Sequence, residues 1–381
     1  MKKVIAIILC IVLCATLFAA CNSSTPAPSS PQGSGGGSPQ ASAQPIGKNE
    51  KGEWIYLCFV IRSLSNPYHI QAVEGIRNFA RQLGMTEDEV AEYVQPLVYD
   101  ASSEKMLQDI RTWNEKTQGN MVFGIDPSQV TDLVAIAEYC DKEGIYWCSW
   151  EKPKTVNVSD YQYWVYALNQ DNFTAGYNMG KMLFDEMGGS GNVWIAAGTT
   201  GHASAIGRQA GIDAALKEYP GITVVGMEDC KWEKAAAYNA ASSALVAFEI
   251  DGIIGQSDNM ALGALEAIRE KNLIGKVKLV GNNAIPDMLE AIKNNESAGT
   301  ISNDPVFQAA MCIYAALQGK SGALDFRAQG EDLRCWKYDV IIVTPASVAD
   351  YEAKMREAPD YLKLLNADMY LGKNLGPGTG L

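Results

Sequence analysis

From Trp54 to Gln318 the chain repeats one rhythm: a short β-rich run, a cluster of turn residues, then an amphipathic helix. That alternation constrains the fold more than any other feature. Strands joined by helical crossovers are parallel, and parallel sheets are covered by helices on both faces. Strand-like runs fall at Trp54–Ile61, Pro96–Tyr99, Met121–Ile125, Ile145–Trp150, Tyr163–Leu168, Asn192–Ala197, Ile222–Gly226, Gly252–Gly255, Val277–Gly281 and Gly299–Ser302. In the first helix Ile70, Val73, Ile76, Phe79 and Leu83 recur at three and four residues, which defines one face. Further helices are expected at Glu104–Thr117, Gln129–Glu143, Asn172–Met187, Ser204–Tyr219, Ala235–Phe248, Asn259–Lys271, Pro286–Asn294 and Val306–Gln318. So many strands fit two smaller sheets better than one. A faint internal echo agrees: Gly75-Ile76-Arg77-Asn78-Phe79-Ala80 and Gly211-Ile212-Asp213-Ala214-Ala215-Leu216 fall at the same place in the first helix of each half.

Ahead of that rhythm, Met1 is followed by Lys2 and Lys3, an apolar run from Val4 to Ala20, and the string Leu17-Phe18-Ala19-Ala20-Cys21. A charged start, a short apolar core and small residues before the cut mark a secretory signal. Cysteine directly after two alanines is similar to a bacterial lipoprotein signal, with residues 1–20 removed and Cys21 lipidated; Phe18 departs from the usual Leu. Asn22 to Gly47 is almost entirely Ser, Pro, Gly, Ala and Gln with no charged side chain, so residues 21–50 are expected to be the lipidated cysteine and a flexible tether. Its reach as a coil is roughly 28 Å. The implied address is extracytoplasmic, on the outer face of the cell membrane of a bacterium lacking an outer membrane, with the lipid on Cys21 as the sole membrane contact.

The formal charge is −13, and losing Lys2 and Lys3 with the leader takes it to −15. Such an acidic surface argues against nucleic acid and anionic lipid as partners. Cys58, Cys140, Cys148, Cys230, Cys312 and Cys335 are scattered, several inside apolar runs, and read as buried free thiols with at most one bridge. There is no CxxC, and His69 and His202 are far apart in sequence, so no metal or other cofactor is expected. Catalytic motifs fail as well. HExxH is absent, Gly188-Gly189-Ser190-Gly191-Asn192 breaks GxSxG at its last position, and Gly319-Lys320-Ser321 has Tyr314 where a phosphate loop needs glycine. No enzyme activity is expected.

Polar and aromatic residues instead gather just after the strands, where open α/β sheets bind ligands. They are Ser65-Asn66-Pro67-Tyr68-His69, Trp150-Glu151-Lys152-Pro153, Thr200-Gly201-His202-Ala203-Ser204 with Arg208, Gln256-Ser257-Asp258-Asn259, Asn282-Asn283 and Asn303-Asp304-Pro305. Planar amide, carboxylate and guanidinium groups grip neighbouring hydroxyls through paired hydrogen bonds. Tyr68, Trp150 and Trp232 offer flat apolar faces for the C–H side of a sugar ring. Each has a plainer alternative. Asn66 opens a turn before Pro67, Asp258 caps a helix, Trp150 and Trp232 pack in a core, and His202 is a loop residue. Arg208 sits near a helix start, where a cation is mildly unfavourable, which strengthens its claim to a specific partner.

On these residues the chain from Trp54 to Gln318 resembles the type I periplasmic sugar-binding proteins of the ribose and galactose group, the capture components of ABC importers. The matching strings are Ser65-Asn66-Pro67-Tyr68, Gly201-His202 followed by Arg208, Ser257-Asp258-Asn259-Met260-Ala261-Leu262-Gly263-Ala264, and Gly299-Thr300-Ile301-Ser302-Asn303-Asp304-Pro305. The resemblance implies two Rossmann-like lobes with parallel sheets flanked by helices, joined by three strands around a hinged cleft. Residues 51–166 plus 304–339 would form one lobe and 167–303 plus 340–381 the other, crossing near Ala167, Asn303 and Val340. It places Asn66, Tyr68, Trp150, His202, Arg208, Trp232, Asn283 and Asn303 on ligand-contacting positions, with Tyr68 and Trp232 sandwiching the ring. Glu151 and Asp258 join them as candidates from the post-strand clusters.

Departures matter. Ser204 and Asn283 stand where the galactose-type pattern carries acids, Ser257 where it has asparagine, and Trp150 where it has asparagine or aspartate. The family's calcium loop has no counterpart. The expected function is capture of a monosaccharide or related polyhydroxylated ligand by a monomer, with delivery to ABC permease subunits. The open alternatives are a non-sugar ligand such as a signalling furanone, polyol or nucleoside, or a role feeding a sensor kinase.

Overall fold

The computed structural model describes residues 46–338 and 340–356, so the expected leader, Cys21 and most of the expected tether lie outside the described residues, as does the stretch after 356. The strands are β1 (Tyr56–Ile61), β2 (Val94–Val98), β3 (Met121–Ile125), β4 (Trp147–Ser149), β5 (Trp164–Gln170), β6 (Ser190–Ala197), β7 (Gly221–Asp229), β8 (Gly252–Gly255), β9 (Lys278–Asn283), β10 (Gly299–Ser302), β11 (Cys335–Tyr338) and β12 (Ile342–Val343). The helices are α1 (Pro67–Gln82), α2 (Glu87–Tyr93), α3 (Ser103–Thr117), α4 (Asp132–Glu143), α5 (Asn172–Glu186), α6 (Ala203–Leu216), α7 (Lys234–Ala247), α8 (Asp258–Glu270), α9 (Pro286–Lys293), α10 (Pro305–Ser321), α11 (Glu331–Arg334) and α12 (Val348–Arg356).

Two six-stranded sheets form, ordered β11-β5-β4-β3-β1-β2 and β12-β10-β9-β8-β6-β7. Every neighbouring pair in the first is parallel, whereas β12 runs antiparallel to β10 at the edge of the second. The chain changes sheet after β5, after β10 and between β11 and β12. Because β5 stays paired in the first sheet through Gln170, that crossing lies three residues past the expected Ala167.

Alternation along the strands feeds a core on each face. In β1, Leu57, Phe59 and Ile61 pack with Val73, Ile76 and Phe79 of α1 and with the apolar residues of α10, while Cys58 and Val60 face Ile110 of α3 and Leu133 of α4. The second sheet repeats this: Trp194 and Ala196 face α7 and α8, and Val193 and Ile195 face α5 and α6. Each large apolar side chain so buried contributes roughly 2 kcal/mol. All six cysteines among the described residues are free, and burial pushes the Cys148 and Cys230 thiols up to about 12. Such thiols are inert.

The internal echo has a steric cause. A Cβ on Gly75 would overlap the Val306 backbone where α1 packs on α10, and one on Gly211 would overlap the Phe173 carbonyl where α6 packs on α5. Each half brings two helix backbones into direct contact at its glycine. Helix α2 lay outside the expected elements, although Thr86-Glu87-Asp88-Glu89 spells a capping box that the structure forms in full.

Candidate functional site

A cleft opens between the carboxyl ends of the two sheets, and the residues lining it end or follow each of the first ten strands. It holds about 640 Å3 of empty space, counting what opens to solvent, within the ~300–1,000 Å3 typical of small-ligand sites. Nine of the ten expected binding residues line it: Asn66, Tyr68, Trp150, Glu151, His202, Arg208, Trp232, Asn283 and Asn303.

From the first sheet, Asn66 caps α1 by accepting the Tyr68 backbone N–H at 3.0 Å, so the capping and lining readings both hold. Its helix then presents Tyr68, whose hydroxyl accepts from Asn303 Nδ2 at 2.8 Å and donates to Gln308 at 3.3 Å. Trp150 is buried at 3% exposure, with Tyr68 edge-on at 5.4 Å and Phe59 at 5.1 Å. It is core packing and cleft wall at once. Ring contacts among the described residues pair Tyr68 with Trp150 and with His69, and place His202 and Arg208 against Trp232.

From the second sheet, His202 is the N-cap of α6, with Nδ1 accepting the Ser204 N–H at 3.2 Å. Arg208 is 4% exposed and clamped: Nε donates to Asn172 at 3.1 Å, Nη1 to the Gln256 carbonyl at 2.6 Å and Nη2 to Gln170 at 3.1 Å. A fixed planar cation costs no reordering when ligand arrives. Lys231 and Trp232 both adopt the left-handed region, with φ of 56° and 64°. For a bulky residue that conformation costs about 1 kcal/mol or more and persists where surroundings over-determine it. Here Asn259 Nδ2 donates to the Trp232 carbonyl at 2.9 Å, and only a glycine at 198 leaves room for the indole.

Asp258 is the exception. It is fully buried, accepting from Thr300 Oγ1 at 2.6 Å and the Ile285 N–H at 3.0 Å, away from the cleft. Nor is it the cap expected as its alternative: Ser257 caps α8 and lines the cleft in its place. Asp258 instead fixes the turn leaving β9, and so holds Asn283. Burial pushes its carboxyl to about 7.

Sequence reasoning missed Arg62, Tyr99, Asp126, Gln170, Asn172 and Gln308, and passed over His69, Ser204 and Ser257 as candidates although all three were noted. Post-strand position signals Arg62 and Asp126, one residue beyond β1 and β3. Gln308 lies inside α10, and nothing in the sequence marks it as facing the cleft. His69 joins Ser63 O at 2.8 Å to Asp126 Oδ2 at 3.0 Å, bracing the loop after β1. Among the described residues no cluster of three or more His, Cys, Asp or Glu is placed to hold a metal, and no helix is long and apolar enough to cross a membrane.

Two α/β lobes with a polar and aromatic cleft at their carboxyl ends define a two-lobed small-molecule capture protein. Residues 55–323 match the periplasmic binding protein domain model, so the chain belongs to the periplasmic binding protein family, type I. It is 33% identical over 185 residues to the xylitol-binding protein of Mycolicibacterium smegmatis, a match covering 48% of this chain and half the length of that relative. To the D-allose-binding periplasmic protein of Escherichia coli it is 28% identical over 251 residues, covering 65% of this chain and 78% of the other. A solved structure from Burkholderia phytofirmans, described as a twin-arginine translocation pathway signal protein, superposes with a TM-score of 0.77 at 32% identity, covering 82% of this chain and 96% of that one. Members of this family bind solutes and do not transform them, and this chain is a binding protein, not an enzyme.

Proposed function

We propose that the cleft captures an uncharged monosaccharide or polyol and that the loaded protein delivers it to an ABC import permease. One observation carries this: both lobes place planar hydrogen-bonding groups (Asn66, Asn283, Asn303, Arg208) around one cavity beside the rings of Tyr68, Trp150 and Trp232. Hydroxyls use the planar groups and C–H faces use the rings, while exclusion of water on closure strengthens each hydrogen bond. The relatives named for xylitol and allose support a polyhydroxylated ligand, and xylitol extends the reading to acyclic polyols. In the same reading Cys21 carries the lipid, the tether keeps a monomeric domain beside the permease, and the protein works outside the cytoplasm of a bacterium without an outer membrane.

A thermal-shift panel of pentoses, hexoses, deoxysugars, polyols and nucleosides tests it. A ligand at 100 times its Kd stabilises by about 2.7 kcal/mol, which raises Tm by several degrees. The expected result is such a shift for at least one sugar or polyol. A flat response across all of them, or a shift with nucleosides alone, would overturn the reading.

A further inference from the structure

Among the described residues, Glu151 is the acidic side chain that reaches across the cleft. It follows β4 of the first sheet, yet Ser204 at the start of α6 in the second lobe donates its hydroxyl to Oε1. The residue is 4% exposed, and its other oxygen, Oε2, is buried with no hydrogen-bond partner. His202 Nδ1 lies 3.8 Å from Oε2, beyond hydrogen-bond reach, and already accepts the Ser204 N–H, so it has no proton to offer there. On the other lobe Trp232 lines the same cavity with its Nε1–H buried and without an acceptor. Buried polar atoms left unpaired are costly, and in a cleft a ligand or an ordered water completes them.

We infer that Glu151 sets the ligand's charge class: the cleft selects an uncharged hydroxyl-bearing ligand that donates to Glu151 Oε2, and it rejects the carboxylate analogue of that ligand. A hydroxyl can donate to Glu151 and accept from Trp232. A carboxylate has no proton to give and would face a second anion, and an ammonium would leave Trp232 without an acceptor. This inference rests on the proposed capture of a sugar or polyol.

A proton linkage follows. The titratable and charged groups facing Glu151 are Asp126 from beyond β3, His202 at the cap of α6 and Arg208 within that helix, and burial pushes the carboxyl above its ordinary range. A ligand hydroxyl hydrogen-bonds best to the ionised form, so binding releases a proton wherever the free carboxyl still holds one. Affinity therefore rises with pH through that titration and levels off above it.

Titration calorimetry with the panel member giving the largest thermal shift tests the idea, alongside the matching sugar acid. Glu151→Gln keeps an amide oxygen for Ser204. It is expected to bind roughly tenfold or more weakly, the usual loss for a hydrogen bond to a charged group. Wild-type affinity should rise as pH climbs above the ordinary carboxylate range, whereas the Glu151→Gln profile should stay flat over the same range. The sugar acid should bind the wild type at least about tenfold more weakly than the neutral ligand. Variant affinity within about twofold of wild type, a flat wild-type profile, or equal affinity for the acid would each overturn the inference while leaving sugar capture standing. Should the variant fail to fold, the wild-type pH series and the acid comparison decide. If no panel member binds the wild type, the proposed function falls and this inference with it.

Discussion

Arg208 Nη2 donates to Gln170 Oε1 at 3.1 Å, joining a cleft guanidinium on α6 to the last residue of β5, where the chain first leaves the first sheet. The same amide donates through Nε2 to the Ser302 carbonyl at 2.9 Å, at the end of β10 and the second crossing. One glutamine thus ties the cation to two of the three crossings. Gln170→Ala should loosen Arg208, which keeps its bonds to Asn172 and the Gln256 carbonyl, and weaken ligand binding by roughly tenfold, since the lost bond has a charged donor. Arg208→Ala should cost more. Calorimetry on both single variants and the double variant should show non-additive losses, because the two residues act as one unit.

Trp232 is held in a left-handed turn against Gly198, with its indole on the cleft. Trp232→Ala is expected to lose ligand binding while the ligand-free melt moves by only a few degrees, because the side chain is partly exposed. Normal binding by this variant would remove Trp232 from the site.

Gly211→Ala places a methyl group into the Phe173 carbonyl, a backbone atom that cannot swing aside. Overpacking of this kind costs about 1–3 kcal/mol, a Tm drop of several degrees. Gly330, with φ of −70° and open space around its Cβ position, is the control. Gly330→Ala should melt within about a degree of wild type.

Asp258 has a carboxyl whose ordinary value of 3.8 rises to about 7 through burial. A group raised on folding contributes stability in full below its unfolded value and loses it as pH climbs through the folded one. Asp304, raised to about 6, acts in the same direction. Melts between about pH 4 and pH 8 should therefore fall by an amount on the order of a few kcal/mol. Asp258→Asn should flatten the upper part of that slope, and an unchanged slope would show that this carboxyl is not its source.

Cys21→Ala should leave the precursor unlipidated and the domain released from the membrane fraction. Metabolic labelling with a fatty acid measures this, and efficient labelling of the variant would remove Cys21 as the anchor.

Legibility followed physical range. The ten main strands and their helices were readable because burial and period are local properties written every two or four residues. So were nine cleft residues, because a parallel α/β sheet puts its binding loops at the carboxyl ends of its strands. Asp258 misled because its motif position and its contacts part company: the chain places it at the head of α8, but Thr300 and Ile285 draw its carboxyl into the core. Gln308 was invisible, since on α10 it faces the cleft only because that helix returns to the first lobe and sends its amide to the Leu168 carbonyl.

The sequence by itself determined the α/β alternation, the two halves and the strand ends where polar and aromatic residues collect, because each follows from short-range patterning and turn chemistry. Tertiary structure alone decided that Gly75 and Gly211 serve matching helix contacts, that Gln170 links Arg208 to the crossing strands, and that Glu151 meets Ser204 across the cleft. Those relationships join residues tens to more than two hundred positions apart, and no local preference encodes which distant groups a folded chain brings within hydrogen-bond reach.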